Sequence, residues 1–87
     1  MLSNLGNALT RLNRLDDALD VLRRALAIDR DYPDAHYNMA HALAAQGDAA
    51  EAIDHYRRAL ALRPDWPQVR AEFDSFRAAH PVLLAAP

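Results

Sequence analysis

Four histidines are the residues of this sequence that would be most useful at a metal centre. His36 and His41 lie five residues apart, so a helix would point their imidazoles in different directions, and His55 belongs to a later segment. Zinc sites usually draw three or four ligands from regular spacings, and cysteine, the other common ligand, is absent. The sequence therefore predicts no metal site and no disulfide.

Residue types suited to catalysis are present but not in a useful arrangement. Ser3 and Ser75 lie outside any nucleophile elbow or comparable motif, and the only glycines, Gly6 and Gly47, form no phosphate-binding loop. The ten basic and twelve acidic residues leave a net charge of −2, which disfavours nucleic acid as a ligand. We therefore expect a protein that is not an enzyme, needs no cofactor and binds no nucleic acid.

The sequence repeats itself with a period of 34 residues. The run from Arg23 to Ala27 has the same five letters as the run from Arg57 to Ala61. Further identical pairs at this spacing are Asn4 and Asn38, Ala8 and Ala42, Leu9 and Leu43, Ala18 and Ala52, and Asp31 and Asp65. A fixed period of this size is typical of a helical solenoid.

Each unit has the spacing of two helices. Positions i, i+3, i+4 and i+7 of one helical face are occupied by His36, Met39, Ala40 and Leu43. Gly47 is predicted to end that helix in the left-handed conformation, and Asn13, the next most tolerant residue type, replaces it in the first unit. Asp48 is predicted to cap the following helix, which Pro64 terminates, and Asp65 to cap the last one.

These signals predict an all-α protein of five antiparallel helices. Their expected bounds are Leu2–Leu12, Leu15–Ile28, Asp34–Gln46, Ala49–Leu62 and Pro67–Ala79. The expected organisation is a single domain over residues 1–79, with units 1–32 and 33–66 and a terminal helix 67–79, followed by a tail at 80–87.

The two units resemble tetratricopeptide repeats. Signature positions of that family are filled by Met39, Ala40, Leu43, Ala52, Tyr56, Ala59 and Pro64, and in the first unit by Leu5, Gly6, Leu9, Ala18, Leu22 and Ala25. His36 stands where the family most often has Trp, so we expect it to fill a core position. The run from Asp31 to Asn38 looks like the repeats attached to O-linked N-acetylglucosamine transferases and related bacterial proteins.

The resemblance implies a right-handed α-solenoid of about two and a half units that binds protein or peptide partners. It also implies that one face of each first helix, here called the groove face, lines the binding surface. The residues expected there are Ser3, Asn4, Asn7, Arg11, Tyr37, Asn38, His41 and Glu72. Asn4 and Asn38 hold the same repeat position, and Glu72 at that position of the third unit is predicted to interrupt the row of Asn residues. The similar transferase repeats hold peptide backbone with ladders of Asn, so Asn4 and Asn38 are predicted to be two rungs that bind an extended peptide with micromolar or weaker affinity.

Self-association is a second prediction, because a stack shorter than three repeats leaves both ends open. Leu12 and Leu15 add apolar surface where the second unit has Gln46 and Ala49. The tail residues Val82, Leu83 and Leu84 are apolar and have no place in the repeat. We therefore expect a homo-oligomer in which these residues contact a neighbouring copy.

The rival interpretation is a piece of a larger enzyme, such as a glycosyltransferase, whose repeats guide substrate to a catalytic domain. Met1 aligns with Ala35, and nothing corresponds to Pro33 or Asp34, so the first unit begins inside its helix as a fragment would. The sequence shows neither a basic and apolar leader nor an apolar run of about eighteen residues. We expect a cytoplasmic protein with no membrane partner.

Overall fold

The computed structural model describes residues 2–80, and the side chains from residue 4 onward. Five helices form this part of the chain: α1 (Leu2–Arg11), α2 (Leu15–Ile28), α3 (Pro33–Ala45), α4 (Ala49–Leu62) and α5 (Pro67–Ala79). No strand occurs within these residues. The predicted all-α fold of helical repeats is therefore confirmed, and each helix boundary lies within one residue of its prediction.

Two tight turns of the same design reverse the chain between α1 and α2 and between α3 and α4. Asn13 has a φ of 62° and Gly47 a φ of 86°, so both adopt the left-handed conformation expected of them. The N–H of Arg14 donates to the carbonyl of Leu9 at 2.8 Å, and the N–H of Asp48 donates to that of Leu43 at 2.9 Å. The same hydrogen bond thus closes both turns and gives each unit its helical hairpin.

The helix starts differ from the prediction in how they are capped. Asp48 occupies the N-cap of α4, but its side chain makes no capping hydrogen bond, and its backbone (φ −92°, ψ 72°) is not the extended form usual at that position. The expected cap at Asp65 is wrong, because Trp66 is the N-cap of α5. Proline takes over part of this role, since Pro33 and Pro67 lie in the first turns of α3 and α5 with φ already fixed near the helical value.

Two clusters of buried side chains hold the five helices together. The first joins α1, α2, α3 and the start of α4 around Leu22 and Leu43. The second joins α3, α4 and α5 around Tyr56 and Phe73. Full burial of a Leu side chain stabilises a fold by about 1.5–3 kcal/mol, so Leu22 and Leu43 are major contributors. His36 is also buried, which confirms the core position expected for it.

Candidate functional site

The part of the groove face on α1 carries polar side chains that have no side-chain partner among residues 4–80. Asn4 and Arg11 are exposed, and Asn7 is half-buried. None of the three side chains forms a hydrogen bond or ion pair with another side chain described from residue 4 onward. Ser3 was predicted to belong to this set, but its side chain lies outside the described residues. Two amides and one guanidinium on α1 are therefore available to a ligand.

On α3 and α5 the predicted residues contact one another. The Tyr37 hydroxyl donates a hydrogen bond to the Glu72 carboxylate, and His41 Nε2 lies 3.5 Å from the same carboxylate. The rings of Tyr37 and His41 meet edge to face with centroids 4.5 Å apart. Glu72 was predicted to interrupt the row of Asn residues, and in the structure it joins α5 to α3.

Aromatic rings surround this carboxylate. The Tyr37 ring lies 5.3 Å from that of Trp66, whose face is covered by the Arg63 guanidinium at 4.4 Å. Burial and the hydrogen bond to Glu72 raise the pKa of Tyr37 well above its ordinary value, and burial with the charge of Glu72 raises the pKa of Tyr56 to about 12. Both phenols are therefore neutral donors at physiological pH.

A shallow depression of about 500 Å³ lies beside Glu72. It is lined by Tyr56, Ala71, Glu72, Ser75 and Phe76, so its walls are mostly apolar and its polar groups are few. A depression with this lining suits an apolar side chain whose neighbouring backbone is held by polar groups.

Asn38 differs from its repeat equivalent Asn4. Asn38 is only 8% exposed and already interacts within the protein, whereas Asn4 is exposed. The difference arises because α3 packs against α1, α2 and α4, while α1 packs against α2 and α3. The two Asn residues therefore offer a ligand very different amounts of polar surface.

Sequence reasoning missed a contact between two histidines. His36 Nδ1 lies 3.0 Å from His55 Nδ1, and His36 Nε2 lies 2.9 Å from the carbonyl oxygen of Arg30. His55 lies on α4, as its later position in the sequence predicts, and the hairpin around Gly47 brings it against His36 of α3. Within residues 2–80 no three His, Cys, Asp or Glu side chains form a group that could hold a metal ion.

The residues predicted for self-association are only partly described. Leu12 is 69% exposed, Leu15 is half-buried, and Val82, Leu83 and Leu84 lie outside the described residues. A depression of about 330 Å³ between α1 and α2 is lined by Leu5, Leu9 and Val21, with Arg14, Asp17, Asp20 and Arg24 at its edge. Leu5 is also exposed, so the first hairpin presents apolar surface on its outer side.

None of the five helices has both the length and the apolar character that a membrane-spanning helix needs, as far as residues 2–80 are concerned.

A family model for the TPR repeat matches residues 6–47, and a second model, for the tetratricopeptide repeat, matches residues 33–65. No curated protein matches the chain. Because the two matches together span residues 6–65 and coincide with the two helical hairpins, the chain belongs to the tetratricopeptide-repeat family.

Proposed function

We propose that the protein is a non-catalytic scaffold that binds an extended peptide on its groove face. Tetratricopeptide repeats generally mediate protein–protein interaction, and the proposal narrows that role to one surface. The observation that supports it is a set of polar side chains on α1, Asn4, Asn7 and Arg11, which have no side-chain partner among residues 4–80. The Tyr37–Glu72 pair on α3 and α5 adds further polar groups to the same face. Its cytoplasmic location stays a prediction from the sequence.

An extended peptide presents alternating N–H and C=O groups, and an Asn amide has both a donor and an acceptor to meet them. Asn4 and Asn7 lie three residues apart on one face of α1, so a peptide crossing α1 contacts both. Arg11, one turn further along the same face, favours an acidic residue in the ligand. Asn38 contributes less to this surface than the sequence predicts because it is nearly covered.

The test is selection of peptides from a random library displayed on phage, followed by affinity measurement with fluorescence polarisation. Asn4→Ala removes about one net hydrogen bond, or about 1 kcal/mol, which weakens binding about fivefold. Asn4 is a better choice than Asn38, because Asn38→Ala would also disturb internal contacts of a buried side chain. Asp54→Ala is the control, since Asp54 is also exposed but lies on α4, where it pairs with Arg58. Equal affinity of the wild type and Asn4→Ala for the selected peptides would reject the groove face as the site.

Self-association through the first hairpin is the second candidate. The exposed side chains of Leu5 and Leu12 favour it, together with the depression between α1 and α2. Light scattering coupled to size exclusion, run across concentration, tests it, and Leu12→Glu should shift the protein towards the monomer. A wild-type protein that stays monomeric at the highest concentration contradicts this candidate. The rival role, guiding substrate to an enzyme domain, stays a prediction that a longer reading frame would decide.

A further inference from the structure

A second groove, of about 670 Å³, lies between α2 and α4, and none of its lining residues belongs to the groove face. The buried side chains of His36 and Met39 lie in it, and Leu26, Ala27, Ala61 and Leu62 supply the apolar walls. Its charged residues are Arg23, Arg30, Asp31, Glu51 and Arg58, three guanidiniums against two carboxylates. The last residue that lines the groove is His55, which is half-buried beside His36.

The hydrogen bonds of this histidine pair fix where its protons lie. The Arg30 carbonyl only accepts, so His36 Nε2 carries a proton and donates it. A neutral His36 then accepts at Nδ1, and His55 Nδ1 must be the donor across the 3.0 Å contact. Neutral His55 therefore has its lone pair on Nε2, and one further proton on that nitrogen leaves both hydrogen bonds intact. A proton added to His36 Nδ1 would instead meet the His55 Nδ1 proton.

The repeat fold itself does not require this pair. The sequence of the first unit has Leu2 and Val21 at the repeat positions of His36 and His55, so the repeat pattern does not call for histidine at either position. Covering two imidazoles costs free energy unless their polar atoms are satisfied, and apolar residues avoid that cost. The histidine pair therefore gives the second unit hydrogen-bonding groups that the packing of its helices does not require.

The charges around His55 come from all three neighbouring parts of the fold. Arg23 belongs to α2, and Arg30 and Asp31 to the connection between α2 and α3. His36 belongs to α3, and the groups on α4 itself are Glu51, Asp54 and Arg58. Burial lowers the pKa of His55, as do the nearby His36, Arg58 and Arg23, and Asp54 opposes them. Asp54 pairs with Arg58 at 3.1 Å, whereas Arg23 and Arg30 form no ion pair within the described chain. An anion beside Arg23 and His55 would balance positive charge that the protein leaves unpaired.

We propose that this groove binds a small carboxylate with a short hydrocarbon body, held by Arg23 and by the protonated His55. The hydrocarbon lies on Leu26, Met39 and Leu62, while the carboxylate accepts hydrogen bonds from the guanidinium and from His55 Nε2. Binding takes up one proton, so affinity rises as the pH falls from about 7.5 to about 6.0, where carboxyl groups with a pKa of about 4 remain ionised.

Hexanoate is the probe, titrated into the protein while NMR follows the Cε1 proton of His55. The expected result is binding that is at least about tenfold tighter at the lower pH, since uptake of one proton changes the affinity by up to about tenfold per pH unit. Hexanol, with the same hydrocarbon length and no charge, should bind at least about tenfold more weakly than hexanoate at that pH. Hexanol binding as tightly as hexanoate would overturn the proposal.

Arg23→Gln and Arg57→Gln form a matched pair of variants, because the two arginines occupy the same repeat position and both are exposed. Of these two arginines Arg23 lines the groove and Arg57 does not, so Arg23→Gln should weaken hexanoate binding and Arg57→Gln should not. His55→Gln should remove the pH dependence, because no ring nitrogen remains to take up the proton. Equal losses in the two Arg variants, or a pH dependence that survives His55→Gln, would refute the site. Peptide binding by the groove face is unaffected by either result.

Discussion

Gly6 is where the structure gives the sharpest expectation about stability. A Cβ atom built on Gly6 would lie 2.5 Å from both Cγ and Cδ2 of Leu22, and 3.1 Å from Cδ1. Nonbonded carbon atoms rest at about 3.5–4.0 Å, so α1 or Leu22 would have to move by roughly 1 Å. Leu22 is fully buried, and Cγ is the branch point of its side chain, so rotation about the Cβ–Cγ bond alone does not relieve the contact.

Gly6→Ala therefore sets two effects against each other. Replacing Gly by Ala inside a helix stabilises it by about 1 kcal/mol, whereas overpacking a core costs about 1–3 kcal/mol. Because the contact involves a fully buried side chain, we expect the cost to be larger and the free energy of unfolding to fall by about 1 kcal/mol. Urea unfolding followed by far-ultraviolet circular dichroism measures the change.

A double-mutant cycle separates the two effects. In a Leu22→Ala background the contact is absent, so Gly6→Ala should stabilise by about 1 kcal/mol. Ala8→Gly, at an exposed position of the same helix, measures helix propensity alone and should cost about 1 kcal/mol. If Gly6→Ala stabilises the wild-type protein as much as the Leu22→Ala variant, steric contact with Leu22 does not explain the glycine.

Two further expectations concern polar contacts. Tyr37→Phe removes the hydroxyl that donates to the partly exposed Glu72, so the free energy of unfolding should fall by about 1 kcal/mol. The same substitution should have less effect in a Glu72→Gln background. Equal effects in the two backgrounds would show that this hydrogen bond is not the cause. The folded pKa of His55 lies below its unfolded value of 6.5, so its contribution to stability is present above that pH and is lost as the pH falls towards the folded pKa. Between about pH 7.5 and 5.5 the denaturant midpoint should therefore decrease less in His55→Val than in the wild type. If the midpoints of the two proteins decrease equally with pH, the lowered pKa of His55 is not the source of the pH dependence.

The 34-residue period and the apolar spacing were sufficient to predict the helices, because both record local structure that each unit repeats. Asn13 and Gly47 were predicted correctly for the same reason, since a left-handed turn residue is a local requirement. The position of Asp48 at the N-cap of α4 was predicted correctly, but its side chain makes no capping hydrogen bond, and the N-cap of α5 is Trp66 and not Asp65. Residue type alone does not reveal these differences.

The candidate sites were harder to predict because they depend on contacts between helices. Nothing in the repeat alignment distinguishes Asn38 from Asn4, yet Asn38 is buried and Asn4 exposed, since α3 packs against three other helices and α1 against two. Glu72 was predicted as a break in a row of polar residues, and its hydrogen bond to Tyr37 spans 35 positions of the sequence. The contact between His36 and His55 likewise exists only once the hairpin has closed.

The substitutions in α5 show how a repeat changes when a helix has fewer neighbours. Positions filled by Ala35, Met39 and Ala42 in α3 hold Val69, Phe73 and Phe76 in α5. Ala35 and Ala42 are fully buried because α3 is packed by other helices on several sides, and small side chains there allow a close approach. Within residues 2–80 no second helix follows α5, so it must bury its area mainly against α4. Larger side chains cover more area from one side, which explains why the same repeat position holds an Ala in α3 and an aromatic residue in α5.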